Sequence, residues 1–100
     1  MGAIANFAEL PVDRWSAALS AVAEAGVELD DQGVDREMRV YVCRHERSEV
    51  VLMFGHVLPD VEQGVCMYSP VRSWWWRPLG MRRVSRVVWA AVLASGGKSV

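Results

Sequence analysis

From Glu37 to His45 the chain alternates strictly. Met38, Val40 and Val42 fall on one side, and Arg39, Tyr41 and Cys43 on the other, which is the period of a half-buried strand. His45–Ser48 is a polar turn. Glu49 to Leu58 (EVVLMFGHVL) is then apolar almost throughout, which reads as a central strand covered on both faces. With the turn centred on Glu46-Arg47, His45 pairs near Ser48 and position 56 falls opposite position 37. Pro59 and Asp60 end the second strand. Val65 to Ser69 gives a third, with Val65 and Met67 on one face and Cys66 and Tyr68 on the other.

Two segments carry the helical period instead. Pro11 and Asp13 open a helix with Asp13 as N-cap; Trp15, Ala18, Leu19 and Val22 form its apolar stripe, and Gly26 stops it. Gly80 to Ser95 is the second helix. Met81, Val84, Val88, Ala91 and Val92 line its inner face, Arg82, Arg86, Trp89 and Ala90 lie beside them, and Gly96-Gly97 closes it. Residues 1–10 read as a poorly ordered lead or a short helical turn. Glu28 to Glu37 (ELDDQGVDRE) reads as an acidic loop around Gly33.

The expected fold is therefore a small two-layer α+β domain, a three-stranded antiparallel sheet with two helices in the order α-β-β-β-α, occupying residues 1–100 as a single domain. Two helices most readily cover one sheet face. Val51 or Met53, with Tyr41 and Tyr68, would then be left on the other, and an apolar patch of that kind marks a partner surface or a homodimer contact, unless the helices split across the two faces or the tryptophan segment covers the second.

Val71 to Ala94 holds four of the five tryptophans and five of the eleven basic residues, and no acid. On a strand Trp74 and Trp76 would share a face, with Trp75 opposite. On a helix begun at Ser69-Pro70, Val71, Trp74 and Trp75 would face inward and Trp76 away. One single-faced core cannot take all three rings. Arg72, Trp74, Trp75, Trp76, Arg77, Arg82 and Arg86 are accordingly candidate partner-binding residues, together with Tyr41, Met53 and Tyr68.

Charge sharpens this picture. The formal net charge is only −1, yet all twelve acids precede residue 64, while residues 64–100 carry six basic residues and no acid. That split means either pairing within the fold or two faces of opposite sign. Arg82, Arg83 and Arg86 sit early in a helix, where the macrodipole disfavours cations. Pairing with Asp30, Asp31 and Asp35, or an anionic ligand, would account for them.

Catalytic and metal chemistry find little support. Cys43, His45, His56 and Cys66 are ligand types, but the hairpin register puts the two histidines at opposite ends. Gly97-Lys98-Ser99 lacks the preceding glycine and the following helix of a phosphate loop. No nucleophile–base signature is legible. The chain is expected to be a non-enzyme without cofactor or metal. The two cysteines read as reduced thiols of a cytoplasmic protein, and no segment is long and apolar enough for a bilayer.

The resulting expectation is a non-enzymatic protein-binding module (a small inhibitor, adaptor or chaperone-like protein). In element order it resembles type III secretion chaperones, and in size phage- or mobile-element-encoded inhibitors, although no motif carries either likeness. The alternative is a nucleic-acid-binding protein using the Arg/Trp-rich segment; membrane-surface association ranks below both.

Overall fold

The structure, a computed structural model, describes residues 5–69 and 79–100, with the side chains of 6–69 and 83–100. Its strands are β1 (Ala5–Glu9), β2 (Glu28–Asp35), β3 (Met38–His45), β4 (Ser48–Gly55), β5 (Gly64–Tyr68) and β6 (Lys98–Ser99); its helices are α1 (Trp15–Glu24) and α2 (Leu79–Ala94). The strands form one antiparallel sheet in the order β2-β3-β4-β5-β1-β6. Among the described residues the domain is α+β with two helices, as expected, but the sheet has six strands and not three, and the element order is β-α-β-β-β-β-α-β.

The β3–β4 hairpin turns at Glu46-Arg47, with His45 opposite Ser48 and Arg39 opposite Phe54. Glu46 takes the left-handed conformation (φ 58°) that a tight hairpin turn demands. This is the register that the sequence predicts, because alternation and turn position together specify it.

The three additional strands correct the sequence reading. Residues 5–9 are not a loose lead: β1 lies inside the sheet, pairing with β5 from Ala5↔Tyr68 to Glu9↔Gly64 and with β6 at Ala8↔Ser99 and Glu9↔Lys98. The acidic stretch is not a loop but an edge strand. It pairs along β3 from Glu28↔Arg44 to Asp35↔Met38, with a bulge between Asp31 and Gly33. Asp31 accepts the Gly33 backbone N–H at 2.7 Å, and Gly33 takes φ 81° to form the bulge. Acids and a bulge suit an exposed edge, where they discourage pairing with other chains.

Asp13 is not an N-cap. It lies in a 3-10 turn over Val12–Arg14, and α1 starts after it with no side-chain cap. The Gln63 side chain accepts the Val12 N–H at 2.9 Å instead. The expected glycine stops hold: Gly26 (φ 88°) follows α1, and Gly96 (φ 109°) follows α2.

One hydrophobic core joins the helices to one sheet face. Ala18 and Val22 of α1 and Val84, Val88 and Val92 of α2 pack with Ala8, Cys43, Val50, Leu52, Phe54, Val65 and Met67. The strand residues in this set are register partners or diagonal neighbours: Cys43↔Val50, Leu52↔Met67, Phe54↔Val65, Ala8↔Val65. β4 is therefore not sealed on both sides. Val50, Leu52 and Phe54 are buried, whereas Val51 and Met53 are partly exposed.

Candidate partner-binding face

The sheet face turned away from the helices can be assembled row by row from the strand register. One row runs Asp30, Val42, Val51, Tyr68, and the next Val40, Met53, Cys66, Phe7. Val40, Val42, Val51, Met53, Tyr68 and Phe7 are half-buried, and none of them packs against the core cluster. Cys66, ringed by these larger side chains, is buried. The result is a continuous apolar strip across four strands.

Both ends of the strip are charged. At one end stand Glu28, Arg44 and Glu49, aligned across β2, β3 and β4. Arg44 donates to Asp30 at 3.0 Å and to Glu49 at 3.3 Å, and these bonds, the one to Asp30 foremost, hold its guanidinium above its ordinary pKa. At the other end are Glu9 and Lys98. There the β4–β5 loop lies over Gly64: a Cβ at that position would meet Val61 and Val57 side-chain carbons and the Ala8 carbonyl oxygen. Glu9, Asp60 and Glu62 border an open depression of ≈ 360 Å³.

Met53 and Tyr68 thus share this face, as expected. Tyr41 does not. It pairs with Leu52 and points into the helix layer, where its ring stacks edge-on against Phe54. Alternation separated Tyr41 from Val40 and Val42 correctly, but the helices cover the Tyr41 side. Arg86 is exposed on α2, on the helix side of the sheet. Arg72, Trp74, Trp75, Trp76 and Arg77 lie outside the described residues, as does the side chain of Arg82. Trp15 joins the core and contacts Phe54, and Trp89, half-buried beside the inner stripe of α2, packs against the core as well. Two of the three acids expected to serve the α2 arginines are engaged elsewhere: Asp30 by Arg44 and Asp31 by Arg39. Phe7, Val40 and Val42 were missed as face residues. The signal for the two valines was present in the alternation; for Phe7 it was not, because β1 is too short to show a period.

The histidines make local contacts. His45 Nδ1 lies 3.3 Å from the Gly26 carbonyl oxygen, and His56 Nε2 lies 3.3 Å from that of Pro59. Burial pushes the Cys43 thiol up to about 12 and raises that of Cys66, the opposite of what activates a nucleophile. The two cysteines lie on opposite faces of the sheet. No helix among the described residues is long and apolar enough to cross a membrane. No protein-family model, curated protein or solved structure matches this chain.

Proposed function

We propose that the protein is a non-enzymatic protein-binding module that docks a partner on the sheet face opposite its helices. The observation that supports this is the apolar strip Val42-Val51-Tyr68 and Val40-Met53-Phe7, left open by both helices. A half-buried apolar sheet surface rimmed by charge is the kind that interface cores use. The Trp74–Trp76 segment with Arg72 and Arg77 follows β5 directly in the chain and supplies residue types enriched in binding hot spots. An inhibitor, adaptor or chaperone-like role in the cytoplasm fits two cysteines that the fold holds apart as free thiols.

The test is affinity capture from the native host with wild type and Met53→Asp side by side, with bound proteins identified by mass spectrometry. The reading expects a specific protein that is retained by wild type and lost with Met53→Asp. Equal retention by both would remove the sheet face from the interface. Binding of single-stranded oligonucleotide that weakens steeply with salt would favour the nucleic-acid alternative through Arg72, Trp74, Trp76, Arg77, Arg82 and Arg86.

A further inference from the structure

The docking face is not electrically neutral, and its sign narrows what can cover it. Glu28, Asp30 and Glu49 stand at one end of the apolar strip against a single cation, Arg44. Glu9, Asp60 and Glu62 stand at the other end, where Lys98 pairs with β1 beside Glu9. With Asp35 of β2, which stands opposite Met38, these positions carry seven carboxylates and two cations. Arg44 is already engaged by Asp30 and Glu49. The exposed Arg83 and Arg86 belong to α2, on the far side of the sheet. The open strand face is therefore acidic, and the exposed cations of α2 lie on the other side of the sheet.

Resting on the reading of this face as a docking surface, we infer that its partner is a protein segment with large apolar side chains flanked by lysine or arginine. Apolar side chains would cover the Val42-Val51-Tyr68 and Val40-Met53-Phe7 rows. Cations at both ends of the segment would meet Asp30 with Glu49, and Glu9 with Asp60 and Glu62. A second copy placed face to face brings the same excess of carboxylates against itself, and like charges across a partly dry interface oppose association. A nucleic-acid backbone is repelled from this face for the same reason.

The inference is tested with full-length protein and three synthetic amphipathic peptides that share identical apolar positions and carry lysine, glutamine or glutamate at the polar ones. The lysine peptide is expected to bind at least about tenfold tighter than the glutamate peptide at low salt, the gap closing as salt is raised. Asp30→Asn with Glu49→Gln should shrink that gap and leave the glutamine peptide unaffected. Met53→Gln should weaken all three. Equal affinity for the three peptides, lost on Met53→Gln, overturns the inference while keeping the face as a docking surface. Failure of all three to bind counts against both. A dimer in sedimentation equilibrium that Met53→Gln dissolves, or an oligonucleotide bound through Met53, would overturn the inference by naming a different occupant.

Discussion

The ring of Tyr41 stands edge-on to that of Phe54, with 5.9 Å between centroids and 86° between planes. Trp15 meets the same Phe54 ring at 5.5 Å and 43°, and its indole N–H donates to the Leu10 carbonyl at 2.9 Å. Three aromatic rings from β3, β4 and the start of α1 therefore meet where the first helix docks on the sheet.

Truncation at this junction is expected to cost stability in proportion to burial. Phe54→Ala should lose ~3–5 kcal/mol, the range for a buried aromatic. Tyr41→Ala, half-buried, should lose about 1–3 kcal/mol, and each kcal/mol lowers the melting temperature by roughly 4–8 °C in a domain of this size. Thermal and urea denaturation check the order. A Tyr41→Ala variant that melts with wild type would place the ring outside the core.

Leu52 and Met53 are neighbours in sequence and lie on opposite sides of the sheet. Leu52 is fully buried between β3 and β5, so Leu52→Asp puts an unpaired carboxylate into the core and should leave no cooperative fold. Met53→Asp, half-buried on the other face, should cost only about 1–3 kcal/mol and leave a cooperative fold. Circular dichroism melts of the two variants give the comparison. If both unfold, β4 is sealed on both sides and the open face does not exist.

Gly64 and Gly33 separate two reasons for glycine. At Gly64 a Cβ would sit 2.9 Å from the Ala8 carbonyl oxygen and 2.9 Å from Val61 Cγ1, so Gly64→Ala must displace β1 or the β4–β5 loop, at a cost of about 1–3 kcal/mol. At Gly33 a Cβ meets nothing within 4 Å, but φ is +81°; Gly33→Ala should therefore cost only ~1 kcal/mol, from backbone conformation alone. Hydrogen exchange should show faster opening of β1 amides in Gly64→Ala and not in Gly33→Ala. The reverse result would contradict the β1–β5 register.

The Cys43 thiol, pushed up to about 12 by burial, makes stability depend on alkaline pH. An unfolded chain ionises its thiols at roughly pH 8.5, so from there up to about 12 the unfolded state loses a proton that the native state keeps. Stability from this group is fully present below the unfolded value and declines as pH rises through that window. Urea midpoints measured from neutral to alkaline pH should fall less steeply in Cys43→Ala than in wild type. Equal slopes would mean that the thiol titrates normally in the fold.

Local periodicity was enough for part of this molecule. The β3–β4 register, the alternation of β5, the stripes of α1 and α2 and their glycine stops are all legible from the chain, because each depends on residues a few positions apart. The candidate face was half legible. Met53, Val51 and Tyr68 stand where alternation placed them, and Tyr41 was assigned to the wrong side. A period of two sorts side chains into two sets without labelling which set the helices will cover, and here both sets were apolar.

The sequence by itself determined a two-helix α+β domain with more apolar strand surface than one helical layer can cover. Tertiary structure decided the rest. β1, β2 and β6 become strands through partners distant in sequence or through an edge position that tolerates acids: Ala8 meets Val65, Glu9 meets Lys98, and Asp30 meets Val42. Short or acidic segments have weak strand preference alone, and backbone hydrogen bonds across the assembled sheet supply what local sequence lacks. The same assembly put both helices on the Leu52 and Phe54 side, leaving Met53 and Tyr68 half-buried on the opposite face, beside an acidic rim.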